Sequence, residues 1–356
     1  MNSQPGLNHN PCPDCSTDDV ANTGATGRVT RREFLNTVGR TVGGVVLASA
    51  AARILPAAAQ AAAATPVQKP ESLVKALFTS LSPRQREALC MPWDSPLRSK
   101  VGANWEIVKP AIKDMFTADQ QEMVRGILKG VTTEEWYSKI LKQFQDDGGG
   151  LEQYHVALFG DPSQHKFEWV LTGRHCTMRV DGHSNSNAAF GGPIFYGHAP
   201  KFNEDPGHPG NVYWEQGRKA NEVFAALDGK QRTQALLDKA PPEDKINLQG
   251  PSGQFPGIAI GELSRDQKAL VRSTMHDLLS PHRPEDAKEV VQDIEANGGL
   301  DSIHLSFYKQ EALGHDGIWD IWRLEGPSIV WHFRGAPHVH TWVNVARDAR
   351  LADGHV

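Results

Sequence analysis

Gly149-Gly150-Leu151-Glu152-Gln153-Tyr154-His155 and Gly298-Gly299-Leu300-Asp301-Ser302-Ile303-His304 are the two stretches whose reading decides the fold. Ahead of the first, over 73–89 and 120–144, apolar residues such as Met123, Ile127 and Leu128 recur at helical spacing. After each turn the pattern changes to short β-branched or aromatic runs bounded by Gly and Pro. These runs predict strands over 154–159 and 167–180 in the first case, and over 303–308, 318–324, 328–333 and 338–345 in the second. Helices followed by strands, twice over, predict an α+β fold with an antiparallel β core and the helices outside.

Similarity extends outward from the two turns. Ser, Thr or Asp followed three positions later by Gln recurs behind a hydrophobic residue at Leu81-Ser82/Gln85, Phe116-Thr117/Gln120, Leu227-Asp228/Gln231 and Leu263-Ser264/Gln267. Each reads as a helix start, the first side chain capping an orphan amide and the Gln closing the box. Leu81 and Leu227 are offset by 146, Phe116 and Leu263 by 147, the Gly-Gly-Leu turns by 149, and Trp169 and Gly173 from Trp322 and Gly326 by 153. So slow a drift reads as a duplication with small insertions. One domain over 73–350, built of repeats at about 73–217 and 218–345, is the expectation, its strands forming one sheet system or two facing sheets.

The amino-terminal residues read differently. Thr30-Arg31-Arg32-Glu33-Phe34-Leu35, an uncharged stretch from Thr41 to Ala52, and Ala59-Gln60-Ala61 follow the order of a charged region, an apolar segment and a small-residue cleavage site. The Arg pair before Phe and Leu marks the twin-arginine form of the signal. Residues 1–61 are thus expected to be a cleaved export signal and 62–72 a linker, with the twin-arginine machinery as partner and a periplasmic or secreted destination. The apolar segment is too short for a stable membrane span. Cys12 and Cys15 fall inside the signal; Cys90 and Cys176 remain, enough for one disulfide in an oxidising compartment.

With 37 Lys and Arg against 42 Asp and Glu and no long basic block, a nucleic-acid partner is excluded. Neither Gly-x-Ser-x-Gly nor His-Glu-x-x-His occurs, and the Gly-rich stretch 247–261 lacks the Lys of a phosphate loop. The histidines are more informative. In a strand, residues two apart share a face, so His338 and His340 can converge on one metal ion. His175, in Gly173-Arg174-His175-Cys176, can supply a third imidazole if the two sets of strands face each other. Around this first-rank set, His155, His304, His332, His183 and His198 stand as second-rank metal or pocket residues. His155 and His304 occupy equivalent places in the repeats, as either a ligand pair or a repeated structural hydrogen bond. Trp331, Trp342 and Tyr196 are candidates for a pocket lining. The long segment 181–217, with Phe195, Tyr196, Phe202, Tyr213 and Trp214, reads as a loop over a cavity.

Several separated motifs together resemble one family. Tyr154 through Phe159-Gly160-Asp161-Pro162, Trp169, Gly173-Arg174-His175, Gly192-Pro193-Ile194-Phe195-Tyr196-Gly197-His198-Ala199-Pro200, Gly326-Pro327 and His338-Val339-His340-Thr341 are similar to the DUF3500 family of mostly exported proteins. The family pattern has Gly-His-His where Arg174 here replaces the first His, leaving His175 as the matching imidazole. His338 and His340 fit its His-x-His. The resemblance supports the choice of site and leaves the reaction open. The expectation is an exported protein with one Cu, Zn or Fe ion on three imidazoles, acting as an oxidoreductase on a small extracellular molecule. A metal-dependent hydrolase is the alternative, as is a non-catalytic binder using the 181–217 segment.

Overall fold

All four Ser/Thr/Asp-x-x-Gln boxes start helices, and in each the side-chain and backbone hydrogen bonds of a capping box are both made. The computed structural model describes residues 69–201, 207–310 and 318–348. The export signal 1–61, most of the linker, Cys12, Cys15 and Phe202 lie outside the described residues. Helices α1 (Pro70–Ser80), α2 (Pro83–Leu89), α3 (Ile112–Met115), α4 (Ala118–Val131) and α5 (Glu134–Gly148) lead into strands β2 (His155–Asp161), β3 (Lys166–Gly173), β4 (Cys176–Val180) and β5 (Ile194–His198), with the two-residue β1 (Cys90–Met91) after α2. Then α6 (Trp214–Ala226), α7 (Gly229–Ala235), α8 (Arg265–Leu279) and α9 (Pro284–Ala296), with short β6 (Leu236–Leu237) and β7 (Ile258–Ala259), lead into β8 (His304–Tyr308), β9 (Ile321–Gly326), β10 (Ile329–Arg334) and β11 (Val339–Val345). The two expected helical stretches are each broken, at Ser82 and at Thr132-Thr133, where caps end one helix and begin the next.

The boxes do more than punctuate. Gln85 Nε2 donates to Gln120 Oε1 at 2.7 Å, and Gln267 Nε2 to Gln231 Oε1 at 2.7 Å, so the start of one helix is tied to the start of another in each half of the chain.

The strands form one mixed sheet of eleven in the order β1-β2-β3-β4-β5-β11-β10-β9-β8-β6, with β7 on β8. Facing sheets are therefore not the arrangement. Nor is the sheet wholly antiparallel, because β1 runs parallel to β2 and β6 parallel to β8. The segment read as a loop over 181–217 contains β5, which pairs with β4 and β11 at the centre.

One sheet face takes the helices. Trp169, Trp322, Trp331, Ile194, Tyr196, Val339 and Val343 meet Val74, Leu77, Ile127, Phe144, Val223, Leu278 and Val290 in a continuous core. Period-two alternation sends their strand neighbours to the other face. That face is polar: Glu168, Thr177, Arg179, Arg323, Glu325, His332, Arg334 and His340 are all buried on it. It is sealed by a small cluster of Phe195, Trp342, Val330, Ile246 and Leu248, and by the coil segments near 100–105 and 239–250.

Candidate metal centre

Gly197 lies on the polar face of β5 with His340 of β11 directly opposite it. On its other side, β4 pairs through Cys176 with Tyr196, which brings His175, one residue earlier, beside Gly197. A Cβ on Gly197 would stand 2.3 Å from the Val339 carbonyl oxygen and 3.3 Å from His175 Cδ2. The bare glycine is thus the gap across which two imidazoles from flanking strands approach each other.

His175 sits in the β3–β4 turn with φ 54°, a left-handed conformation that a residue with a Cβ adopts only when its surroundings impose it. Its N–H donates to the Ala103 carbonyl at 2.7 Å, and the Tyr154 hydroxyl donates to the Arg174 carbonyl at 2.8 Å, bracing the turn from both sides. His338 immediately precedes β11 and His340 is its second residue. The three rings converge: centroids are 5.0 Å apart for His175–His338, 5.0 Å for His175–His340 and 4.7 Å for His338–His340. One nitrogen from each lies within 4.8 Å of the others, and the Nε2 atoms of His338 and His340 are 2.9 Å apart. His175 and His340 are wholly buried.

Carboxylates stand behind two of the rings. His175 Nδ1 is 2.9 Å from Asp147 Oδ2, and His340 Nδ1 is 3.1 and 3.2 Å from the two oxygens of Glu243. An Nδ1–H directed at a carboxylate fixes the tautomer and leaves Nε2 with its lone pair for the centre, the arrangement that orients metal-binding histidines. Asp147 is itself held, accepting from Gln143 Nε2 at 2.7 Å and from the Ala199 N–H at 2.8 Å. Burial alone would raise its pKa, but the hydrogen bonds from His175, Gln143 and Ala199 bring it below the ordinary value. Burial, joined by the charges of neighbouring imidazoles and Arg334, pushes His338 down to about 2. Burial and Arg334 also push His340 well below the ordinary imidazole value. Both rings are therefore neutral, the ligating form, at any physiological pH.

The remaining candidates take other places. His198 is buried next to the site, but its Nε2 faces Asp146 Oδ2 at 3.0 Å. His332 shares the polar face on β10, opposite Trp342 of β11 and Arg323 of β9. His155 Nδ1 lies 3.2 Å from the Pro110 carbonyl, His304 packs on Phe255, and His183 is at the surface near Glu289. Among the described residues, only His175, His338 and His340 form such a group. Of the expected pocket residues, Trp342 stacks edge-on with Phe195, which meets His340 in the same way. Trp331 and Tyr196 point to the helix-side core, since each is odd in phase with the site residues of its strand; Tyr196 donates to Gln216 there. Cys90 and Cys176 are both free thiols.

Asp147 and Glu243 were not visible to sequence reasoning. Asp147 ends a helix just before the Gly-Gly-Leu turn, and Glu243 lies in the irregular Pro-rich stretch after β6, so neither carries a periodic signal.

A family model matches residues 63–353 of the chain. The chain belongs to the family described as Protein of unknown function (DUF3500). No protein with a curated description and no solved structure matches it. Within this DUF3500 chain no described helix is long and apolar enough to cross a membrane.

Proposed function

We propose that this DUF3500 protein is an exported metalloenzyme holding one transition metal ion on His175, His338 and His340. The observation that carries the reading is the convergence of three buried imidazoles, two of them backed at Nδ1 by carboxylates. Three protein ligands leave a coordination position for water or substrate; zinc there would supply a hydroxide near neutral pH, and copper or iron would supply oxygen chemistry. Asp147 and Glu243 hold the imidazole protons on the atoms facing away from the ion. The burial of the rings keeps bulk water from competing for them.

Redox chemistry on a small extracellular molecule is the preferred reaction class, because the twin-arginine route exports proteins already folded around a cofactor. Hydrolysis is the alternative if the ion is zinc. The two halves are read as products of one duplication. In support, the sheet order is the same from either edge inward, each edge begins with a parallel pair, and each half ties its helix starts through paired glutamines.

Elemental analysis of the untagged mature protein tests the metal. About one equivalent of Cu, Fe or Zn is expected in the wild type, and its loss in both His338→Ala and His340→Ala. Chelation should lower the melting temperature by several degrees. Full metal retention in both variants would overturn the assignment.

A further inference from the structure

Arg323 stands on the same polar face as the three imidazoles. It pairs with His332, His332 pairs with Trp342, and His340 is two residues further along β11. From strand spacing and rise, the Cα atoms of Arg323 and His340 are about 12 Å apart. Beside Arg323 opens a cleft of about 490 Å³ whose walls include Lys239, Pro241, Lys245, Tyr308, Arg323 and Glu325.

The donors in this cleft are not all used. Arg323 is 3% exposed; its Nε lies 3.0 Å from Glu325 Oε2 and its Nη2 donates to the Lys245 carbonyl, while Nη1 has no hydrogen-bond partner. Tyr308 is 1% exposed, and its hydroxyl makes no hydrogen bond of normal geometry; its polar neighbour Ser306 donates instead to the Pro256 carbonyl at 2.9 Å. A guanidinium stays charged wherever it is placed, and a buried donor left unmet is unfavourable. Glu325 offsets one positive charge and accepts from Gln249 through its other oxygen at 3.0 Å. Lys239 and Lys245, both exposed, add two more cations at the rim.

We propose that this cleft is a subsite for the oxyanion end of a small molecule, a carboxylate or a phosphate, received by Arg323 Nη1 and the Tyr308 hydroxyl with Lys239 and Lys245 closing over it. The segment that carries both lysines also carries Glu243, which backs His340, so one stretch of chain borders the cleft and the imidazole cluster. A ligand about 10 Å long, anchored here, reaches from one to the other. That use as a substrate anchor rests on the metal reading; the binding of an oxyanion does not.

Isothermal titration of the full chain with succinate, inorganic phosphate and uncharged succinamide, at fixed ionic strength, tests the subsite in metal-loaded and chelator-stripped protein. Saturable binding of succinate or phosphate and none of succinamide is expected in both forms, and the stronger of the two anions identifies the source. The exposed pair K239Q/K245Q should weaken that binding at least tenfold without touching the fold, and R323K, which keeps the charge but not the fork, should do likewise. Absence of saturable anion binding, an unchanged affinity in K239Q/K245Q, or binding that vanishes with the metal would each overturn the subsite. A protein that binds the anion when stripped but never carries metal would leave the subsite standing and overturn the metal reading alone.

Discussion

Asp147 is the residue on which the geometry of His175 turns. Its Oδ2 faces both His175 Nδ1 and Gln143 Nε2, and its Oδ1 accepts from the Ala199 N–H. A carboxylate can accept all three; an amide of the same shape cannot, since one end becomes a donor. In Asp147→Asn the amide oxygen stays with one set of partners and the NH2 group faces another. Turned towards His175, that NH2 moves the imidazole proton to Nε2, the atom needed by the metal. The expected outcome is a 10- to 100-fold loss of metal affinity, as for other partners that orient ligating histidines, measured by competition with a chromogenic chelator. Glu243→Gln acts on His340 in the same way, and because Glu243 bonds through either oxygen the smaller loss is expected there. Unchanged affinity in both variants would remove the carboxylates from the account.

At the scale of the element, β5 is what joins the two halves and brings the ligands together. It lies between β4, with His175 at its head, and β11, with His338 and His340 at its start. Gly197→Ala places a Cβ against backbone, the Val339 carbonyl, which cannot move without opening the β5–β11 pairing. We expect a loss of about 1–3 kcal/mol in stability, the usual cost of overpacking, together with weakened metal retention, read by denaturant titration and elemental analysis on the same sample. A fully stable Gly197→Ala with metal retained would show that the glycine is not the required gap. Of the strands that the sequence concealed, β1, β5, β6 and β7, β5 is the one at the centre of the sheet. Ile194-Phe195-Tyr196 is a short apolar run suited to a central strand, but it is framed by Gly192-Pro193 and Gly197, residues that signal a loop more strongly. The flanking strands and the capped helices were legible because their periods are local. His338 and His340 were legible for the same reason, a period of two. Which face each residue takes was not: Trp331 and Tyr196 are sequence neighbours of site residues and therefore point away from them. His175 could be placed near the pair only by assuming a sheet arrangement that proved different, with β5 inserted between.

For the whole molecule, the distribution of buried titratable groups sets how stability varies with pH. Burial depresses His282 to about 4 and His332 to about 3, and lowers His338 and His340 as well. In the unfolded chain each imidazole titrates near 6.5. Stability from these groups is fully present above about pH 6.5 and is lost as pH falls, because the unfolded chain takes up protons that the folded one refuses. Five carboxyls among the described residues oppose them, Glu168, Asp181 and Asp286 being raised by burial. Burial and the neighbouring Asp293 raise Glu289 to about 7, and burial raises Asp293 to about 6, against the pull of Arg347. Folded, they hold protons that the unfolded chain has released, so their contribution is present in acid and is lost as pH rises. Imidazoles and carboxyls thus pull the pH dependence in opposite directions, and changing one group at a time separates them. His282→Gln removes one depressed imidazole, so in the metal-free protein the loss of unfolding free energy on acidification should become shallower by up to about 1.4 kcal/mol per pH unit between pH 6 and 5, measured by denaturant titration at each pH. Glu289→Gln removes one opposing carboxyl, so the acid loss should become steeper, whereas a variant that only weakened the fold would shift the whole curve without changing its slope. An unchanged slope in Glu289→Gln would mean that this carboxyl is ionised in the folded state, and an unchanged slope in His282→Gln that a buried imidazole takes up its proton in the folded state, in which case the neutral rings of a metal centre would no longer follow from burial.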